Sequence, residues 1–297
     1  MTIELSDSGR LLLFEDGGAL ASAVSPRPYL HPICSPAGTL LTEIAPVDHP
    51  HHLGLSLALP DVNGSHHWGG KTYKPGRGYV WENRHGCQRV TDIRLGRLSE
   101  SGGSERPRSG KCMGCTISWI GADGQTQLIE NRDITWSVTG SATAPGAALL
   151  RWRSTVTPCR DTFVASPGVK GRKGAGYGGI FWRFPRWLDW CVFSSEAAGE
   201  EQVNGSCAEW ITMHAASQGT SGAKDVSVVL WQSGPRVPWF VRTSEYPGAC
   251  PALAWQESLR LPAGSPFIFG LNALILDADL GSAAQVERAL LEVGGRQ

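Results

Sequence analysis

Glycine and proline interrupt this chain so often that the segments between them are short. The 297 residues include 37 glycines and 19 prolines, and the runs between them are largely apolar and β-prone. Many short β-prone runs with little helix between them are typical of β-sandwiches and β-barrels. The candidate strands lie at residues 10–15, 19–24, 27–33, 52–59, 88–98, 112–120, 126–138, 147–157, 207–216, 226–233, 237–243, 255–261 and 267–277. We therefore predict an all-β fold.

Two local signals add detail to this prediction. Asp123-Gly124 lies between two β-like runs, and Asp-Gly in that position favours a hairpin. Near the C-terminus, Ser282 can cap a helix whose apolar residues recur at helical spacing before Gly294-Gly295. Those apolar residues are Val286, Ala289, Leu290 and Val293. The sequence therefore predicts a short C-terminal helix on the β fold.

Composition and charge limit the classes of partner. Hydrophobic residues make up 41% of the chain and charged residues 18%, a globular balance, and we predict one domain over residues 1–297. Lys+Arg and Asp+Glu both number 27, whereas binding to nucleic acid or anionic lipid needs a basic excess. The sequence has neither a long apolar run nor a signal-peptide pattern. We expect a cytoplasmic protein with eight reduced cysteines, no nucleic-acid or membrane partner, and a homodimer as one option.

Histidine is concentrated in one part of the chain. Seven of the eight histidines, at positions 31, 49, 51, 52, 66, 67 and 85, fall within 55 residues. Imidazole exchanges protons near neutral pH and also binds divalent metals, so such a concentration indicates a functional site. The alternative is structural, with Asp48 and His49 merely capping a turn.

The segment from Asp48 to Leu59 is the strongest candidate. A strand that begins near His51 would direct His51 and the leucines at 53, 55, 57 and 59 to the core. His52 would then face the other way with small residues at 54, 56 and 58, which leaves room for a ligand. We predict that His52 and His49 are catalytic, with Asp48 and His51 binding substrate. Asp48 could also ligate a metal, although HPHH is not a standard zinc spacing.

Extended backbone would place Arg27, Tyr29 and His31 on one face of a second strand. A guanidinium, a phenol and an imidazole together suit the floor of a polar cleft. We predict that Arg27 and Tyr29 bind substrate and that His31 is catalytic. The alternative is a buried polar network that links two sheets.

Residues 61–85 form a third candidate segment. Asn63 lies in a predicted turn, and His67 and Trp68 follow it. Trp68 is a flat platform on which a sugar or aromatic ring could stack, or else a core residue. We predict that these three residues bind substrate and that Glu82 is a general base.

Two later segments combine aromatic residues with arginine. The glycines at 176–179 suggest phosphate binding, but no helix and no GK[ST] follow, so we predict the wall of a cleft instead. An arginine in an apolar strand needs a partner, either a ligand or an internal carboxylate. The predicted substrate-binding residues of the two segments are Tyr177, Trp182, Arg183, Trp239 and Arg242.

Taken together, these segments resemble a family called PmoA-like, also labelled DUF6807. The segments that carry the resemblance are RPYLHP with SPAG, DHPHHLGL, DVNG with WGG, YVW, GYGGIFWR, PWFVR with YP, and the proline of ACP. The resemblance implies a large antiparallel β-sandwich, similar to the galactose-mutarotase super-sandwich, and an association with sugar oxidoreductases. The family name refers to a membrane copper enzyme. Because this chain has no membrane segment, we do not extend methane oxidation to it.

Three functions are compatible with these residues. The first is an enzyme without a cofactor that performs general acid–base chemistry on a small oxygenated ligand, either a sugar or a specialised metabolite. Its reaction would be an isomerisation, elimination or hydrolysis. The second is a metal-dependent oxygenase or oxidoreductase that uses the histidine cluster. The third is a non-catalytic module that binds a carbohydrate or metabolite.

Overall fold

Two large antiparallel sheets dominate the structure, which is a computed structural model that describes residues 1–5, 12–15, 24–97, 110–139, 146–216 and 225–293. One sheet has ten strands and the other has eight, and a separate two-stranded hairpin lies beside them. The predicted all-β fold with a short C-terminal helix is confirmed. Among the described residues, no helix is both long and apolar enough to cross a membrane.

The elements of the described residues are numbered in chain order. The strands are β1 (Thr2–Glu4), β2 (Leu12–Glu15), β3 (Tyr29–Ile33), β4 (Leu55–Val62), β5 (Ser65–His67), β6 (Thr72–Lys74), β7 (Gly78–Val80), β8 (Cys87–Arg97), β9 (Gly110–Ile120), β10 (Thr126–Thr139), β11 (Ala147–Pro158), β12 (Thr162–Ala165), β13 (Gly179–Arg183), β14 (Trp190–Ser194), β15 (Trp210–Ala215), β16 (Val226–Ser233), β17 (Trp239–Arg242), β18 (Gly248–Pro251), β19 (Leu259–Leu261) and β20 (Phe267–Leu276). The helices are α1 (Glu200–Val203) and α2 (Ala283–Glu292).

Strand β4 occupies the middle of the ten-stranded sheet. The order of that sheet is β1-β2-β3-β4-β13-β18-β17, and β5 and β12 pair with the far end of β4. The eight-stranded sheet has the order β14-β15-β16-β20-β11-β10-β9-β8. Five of the seven neighbouring pairs in this second sheet are consecutive along the chain, and β9 and β10 are joined by the predicted turn at Asp123-Gly124.

A single hydrophobic core contains residues of both large sheets. Leu55 and Leu57 of β4 belong to the same buried cluster as Ile117 and Trp119 of β9. Six tryptophans are among the largest fully buried side chains, at positions 119, 136, 152, 182, 210 and 239. Burial of such large aromatic side chains stabilises a sandwich by a few kcal/mol each, about 1.5–3 kcal/mol on transfer scales. Half of the 12 tryptophans in the chain are therefore core residues.

A carboxylate lies completely buried in the eight-stranded sheet. Glu130 of β10 accepts from Arg132 Nε at 2.8 Å and Nη2 at 3.0 Å. Its oxygens also accept from Ser154 Oγ at 2.6 Å and Trp119 Nε1 at 2.9 Å. The Arg132 guanidinium lies over the Trp152 ring, 4.3 Å from its centroid. We call these five residues the Glu130 network.

The predicted elements differ from the structure mainly at their ends. Strands β9, β10 and β11 start and end within two residues of the predicted bounds, and Ser282 caps α2 by accepting from Gln285 N. The candidate strand at 255–261 is reduced to Leu259–Leu261 because a turn precedes it. The candidate strand at 19–24 lies outside the described residues, apart from Val24. The short strands β1, β5, β6, β7, β12, β14 and β18 and the helix α1 were not predicted.

Candidate functional site

The histidine segment is a turn, and the strand starts only after it. His49 N donates to Pro46 O at 3.0 Å, and His52 N donates to His49 O at 2.9 Å. Gly54 has φ 47°, and a Cβ at this position would collide with the backbone oxygen of Leu30. Strand β4 therefore begins at Leu55, where the leucines alternate into the core as predicted. The prediction that His51 shares this core face is wrong because the turn rotates it towards the opposite side, beside His52.

A cavity of about 690 Å³ opens beside this turn. Ligand pockets in proteins typically measure about 300–1,000 Å³, so the cavity could hold a ligand as large as a sugar or a small polycyclic metabolite. It is lined by Val24, Ser25, Arg27, Ala45, Asp48, His49, Pro50, His51, His52, Leu53, Trp68, Gly69, Gly70, Lys71, Tyr79, Trp81, Arg172, Tyr177, Glu245 and Tyr246.

Three imidazole rings pack against one another at this cavity. The rings of His49 and His52 stack with centroids 4.7 Å apart, and His51 meets His52 edge-on at 4.6 Å. His49 Nδ1 hydrogen-bonds Asp48 Oδ2, which also accepts from Arg186 Nη2 at 2.6 Å. Burial acts to raise the pKa of Asp48, but the His49 hydrogen bond and the charge of Arg186 outweigh it and lower the pKa. Asp48 is therefore a carboxylate that orients the His49 ring.

The two inner imidazoles are neutral at physiological pH. Burial, together with neighbouring cations, lowers the pKa of His51 to about 3 and the pKa of His52 well below its usual value. His51 Nε2 and His52 Nδ1 are both buried without a hydrogen-bond partner in the described part of the chain. A Cβ at Gly70 would lie 2.7 Å from His51 Nε2, so glycine is needed there to accommodate the ring. Buried polar atoms normally have partners, and because these two nitrogens belong to residues that line the cavity, a molecule bound there could supply them.

Aromatic side chains form the rest of the wall. The Tyr246 ring lies 4.6 Å from His49 and 5.1 Å from His52 between centroids. Trp68 packs on Tyr177 at 5.0 Å, and the hydroxyls of Tyr177 and Tyr79 are 3.0 Å apart. Burial raises the pKa of both Tyr246 and Tyr177, so each phenol stays protonated and can donate a hydrogen bond.

A smaller compartment of about 30 Å³ adjoins the cavity. Arg27, His51, His52 and the rings of the aromatic wall at 68, 177 and 246 line both spaces. The residues found only in the small compartment are Ala58, Pro60, Gly178, Phe181 and Phe240. Because the residues that it does not share with the cavity are apolar and its volume is that of a water molecule or a methyl group, this compartment suits a small apolar substituent next to the polar groups.

Arg27 is a buried cation with only neutral acceptors. Its guanidinium donates to Ser56 Oγ at 3.2 Å, to Trp68 O at 3.0 Å and to His51 O at 2.6 Å. These bonds connect the start of β3 to the histidine turn and to the loop that carries Trp68. Burial lowers the pKa of Arg27 to about 9, which leaves it charged at neutral pH.

The structure brings seven of the predicted site residues to the cavity, namely Arg27, Asp48, His49, His51, His52, Trp68 and Tyr177. Two residues that were predicted to lie beside Arg27 do not reach the cavity. Tyr29 is 3% exposed and packs as a core residue of β3. His31 Nδ1 hydrogen-bonds Thr42 Oγ1 at 2.9 Å, so its ring is engaged by the segment that follows β3. The prediction that Arg27, Tyr29 and His31 share a cleft floor is corrected to Arg27 alone.

Three further predicted residues are core residues. His67 Nε2 hydrogen-bonds Gln127 Oε1 at 3.0 Å, and the ring packs against Trp119 between the sheets. The indole of Trp182 donates to Leu41 O at 2.7 Å, and that of Trp239 donates to Ala208 O at 2.9 Å. Because these partners belong to the protein, none of the three side chains is available to the cavity.

The remaining predicted residues are engaged elsewhere. Asn63 Oδ1 accepts from Phe163 N of β12 at 2.8 Å, and Glu82 pairs with Lys74 at 2.8 Å. Arg183 is paired with an internal carboxylate and not with a ligand, since its Nη2 lies 2.9 Å from Glu43. Arg242 Nη2 donates to Gly174 O at 2.8 Å, and its Nε lies 3.7 Å from Glu200. The structural alternative therefore holds for both arginines.

Sequence reasoning missed several lining residues. Tyr246 and Glu245 follow β17, Tyr79 and Trp81 lie at β7, and Arg172 belongs to the glycine-rich stretch before β13. Tyr79 and Trp81 adjoin the predicted Glu82, so the YVW segment was a usable signal for them. No local pattern connects Tyr246 or Arg172 to a histidine turn more than 100 residues away.

Imidazoles grouped in this way can also bind a metal ion. Within the described ranges, however, no three His, Cys, Asp or Glu side chains are placed so that they could hold one. One imidazole nitrogen of His49 is already bonded to Asp48.

Comparison with known proteins gives a family but no activity. No curated protein matches the chain. One similar solved structure, named "Putative kojibiose phosphorylase from human microbiome", is 10% identical with a TM-score of 0.36, covering 69% of this chain and 25% of that chain. The chain thus spans about a quarter of that protein. A family model described as "Family of unknown function (DUF6807)" matches residues 3–290. The chain therefore belongs to the DUF6807 family, as its sequence segments had indicated.

Proposed function

We propose that this chain is an enzyme that transfers protons on a small oxygenated ligand, a sugar or a specialised metabolite, bound in the 690 Å³ cavity. The observation that carries the proposal is the Asp48–His49 pair stacked on His52 at the cavity wall. A carboxylate that holds one imidazole nitrogen fixes the tautomer and leaves the other nitrogen to exchange protons.

His49 is the general acid–base residue of this proposal. Its Nδ1 is held by Asp48, so Nε2 accepts a proton from a carbon or hydroxyl of the ligand and returns it at the same or a neighbouring atom. The His49 side chain is 31% exposed, so protons can reach it from solvent. An isomerisation or an elimination of this kind requires no net oxidation of the ligand.

The inner imidazoles and Tyr246 serve the ligand oxygens in this scheme. Neutral His51 and His52 each have one ring nitrogen without a partner among the described residues, and the Tyr246 phenol is protonated. Hydrogen bonds from such groups to an oxygen that gains negative charge during proton transfer would stabilise the intermediate. Because His52 is buried and His51 and Tyr246 are half-buried, these hydrogen bonds would be stronger than in water.

Partner and location remain part of the proposal. We propose a small-molecule substrate, a cytoplasmic location, and no nucleic-acid or membrane partner. A homodimer is compatible with the proposal but is not required by it. The name PmoA-like adds no activity to the proposal, and methane oxidation is not proposed.

Deuterium incorporation is the most direct test. The protein would be incubated in D₂O with a panel of sugars, sugar acids and hydroxylated aromatic compounds, and mass spectrometry would detect exchange or conversion. We expect His49→Gln to lower the rate about 10²–10⁴-fold. The matched control is His214→Gln, since His214 also lies near a carboxylate, 3.6 Å from Asp279, but belongs to β15. Equal rates in the His49 variant and the parent protein would refute the assignment.

A binding module is the second candidate, favoured by the aromatic surfaces. Trp81 is 54% exposed at the cavity, and Trp68 packs against the ring of Tyr177. Aromatic faces of this kind bind sugar rings by stacking. Ligands that bind without any exchange or conversion would favour this candidate over the enzyme.

A metal-dependent oxygenase is the third candidate, favoured only by the proximity of three imidazoles. Elemental analysis of the purified protein and activity after dialysis against a chelator would test it. Stoichiometric metal together with chelator-sensitive turnover would support the oxygenase, and unchanged turnover would support the acid–base enzyme.

A further inference from the structure

The cavity contains a charge that the protein leaves unbalanced. Three arginines are buried in the described part of the chain, Arg27, Arg132 and Arg183. Arg132 is paired with Glu130, and Arg183 is paired with Glu43. Arg27 has no carboxylate partner among the described residues, and its acceptors are backbone carbonyls and one hydroxyl. An unpaired buried charge is costly, so a countercharge from a ligand would be strongly favoured.

The surroundings of Arg27 add no negative charge. His51, which accepts from Arg27 through its backbone oxygen, has a neutral ring, and so has His52. Of the two carboxylates at the cavity, Asp48 is already paired with Arg186. Glu245, the other carboxylate, lines the cavity together with two more cations, Lys71 and Arg172, for which the described residues show no ion pair. The cavity as a whole is therefore positive.

We infer that the ligand of this cavity carries a carboxylate, which binds at Arg27 next to the inner imidazoles. This inference rests on the proposed function in one respect, namely that the cavity is a ligand site. It adds a substrate class, an oxygenated carboxylic acid such as a sugar acid or a hydroxy acid.

The number of available donors favours a carboxylate over a phosphate. A guanidinium has five N–H groups, and most of those of Arg27 already donate to the protein. One remaining N–H, one neutral imidazole and the Tyr246 phenol match the few acceptors of a monoanion. The small compartment beside Arg27 would then take a small group next to the carboxylate.

A carboxylate next to the reacting carbon would also assist the proposed chemistry. Removal of a proton from the carbon beside a carboxylate places negative charge on the carboxylate oxygens. Arg27 would balance one of the two negative charges of the resulting enediolate, hydrogen bonds from Tyr246 and the inner imidazoles would stabilise the other, and His49 would hold the proton. All of these residues line the same cavity, as this arrangement requires.

The test uses the smallest matched pair of probes, sodium acetate and acetamide, on the full chain. Thermal unfolding would be followed as each probe is added, at constant ionic strength and near neutral pH. We expect saturable stabilisation by acetate, with a dissociation constant at least about tenfold lower than that of acetamide, because only acetate forms a charge-assisted hydrogen bond with Arg27. Equal responses to the two probes, or no saturable response to acetate, would overturn the inference.

Three variants test whether the preference for acetate arises at Arg27. Arg27→Met should lose the preference for acetate, and Arg27→Lys should keep most of it because the charge remains. The control Arg236→Met removes one exposed positive charge, paired with Glu209 at 3.3 Å, and should respond like the parent protein. Circular dichroism would establish that each variant is folded. If Arg27→Met does not fold, the parent and Arg27→Lys still decide the outcome.

The two proposals can fail separately. Acetate binding at Arg27 with unchanged turnover in His49→Gln would refute the acid–base role and leave the carboxylate inference standing. Loss of turnover in His49→Gln without a preference for acetate in the parent protein would support the acid–base role and refute the carboxylate inference.

Discussion

The Glu130 network and the histidine group at the cavity are both polar, but they differ in how many of their hydrogen-bond partners the protein supplies. Both carboxylate oxygens of Glu130 receive hydrogen bonds, from Arg132, Ser154 and Trp119. At the cavity, by contrast, His51 Nε2 and His52 Nδ1 have no partner among the described residues. Burial alone therefore does not identify a functional group in this protein. Among the described residues, Arg132 Nη1 and the core nitrogen Trp136 Nε1 also lack a partner, so the histidine group differs because its unpaired nitrogens belong to residues that line the cavity.

The origin of the partners explains the difference. The members of the Glu130 network come from neighbouring positions of three adjacent strands, β9, β10 and β11, so the sheet itself brings them together. The cavity is assembled from turns and loops that several strands hold in place. Loops supported by a rigid sheet are common locations for binding sites.

The largest expected effect concerns the Glu130 network. Glu130→Gln would leave Arg132 as a buried charge without its counterion, and we expect a loss of about 3–5 kcal/mol in the free energy of unfolding. Urea denaturation would measure it. The control is Glu209→Gln, which breaks an exposed pair with Arg236 and should cost less than about 1 kcal/mol. A loss of similar size in both variants would show that the network contributes no more than a surface pair.

The next effect concerns the turn that presents the histidines. Gly54→Ala would place a side chain at φ 47° against the backbone oxygen of Leu30. We expect a loss of about 2–4 kcal/mol, since a left-handed conformation costs about 1–2 kcal/mol for other residues and the collision adds to it. The control is Gly76→Ala, because Gly76 also has a positive φ but an added methyl group there would meet no atom within 4 Å. Equal losses would show that the collision is unimportant.

Acid should destabilise the histidine group. Burial lowers the folded-state pKa of His51 from 6.5 to about 3, so the unfolded chain binds the extra proton first as pH falls. Stability from this group is complete above pH 6.5 and is lost as pH falls towards about 3. Between pH 6.5 and about pH 5 the loss is as much as about 2 kcal/mol. Urea denaturation at both pH values should show a smaller difference in His51→Phe, and an unchanged difference would contradict the assignment.

The smallest effect on stability should come from His52→Phe. Its Nδ1 has no protein partner in the described residues, so replacing the ring with an apolar one of similar shape removes no hydrogen bond at that nitrogen. We expect a change of less than about 1 kcal/mol in unfolding free energy at neutral pH, together with a clear loss of ligand binding or turnover. A large destabilisation would mean that His52 is structural, like His67.

The sequence predicted the strands well where side chains alternate regularly. The leucines at 55, 57 and 59 identify the core face of β4, and the same alternation correctly leaves Ser56 and Ala58 on the other side. It failed at His51, because the turn ending at Gly54 interrupts the period. The family resemblance and the concentration of histidines directed attention to the correct segment.

The rest of the site depends on distant partners that no local pattern reveals. Trp182 is structural because Leu41 O accepts its indole N–H, whereas Trp68 is at the cavity. His67 is structural because Gln127 meets it, 60 residues further along the chain. The residues next to a tryptophan or a histidine in the sequence do not indicate which distant group it will contact. Residues such as Tyr246 lie at the cavity only because of the order of the strands in the sheet.

The position of β4 has a consequence for motion. Its first half pairs with β3 and β13 beside the histidine turn, and its second half pairs with β5 and β12. Its amide protons should therefore be among the slowest of the whole chain to exchange with solvent, because no neighbouring pair can open without the others. Ligand binding in the cavity should then slow amide-proton exchange along the whole of β4, including residues that do not touch the ligand.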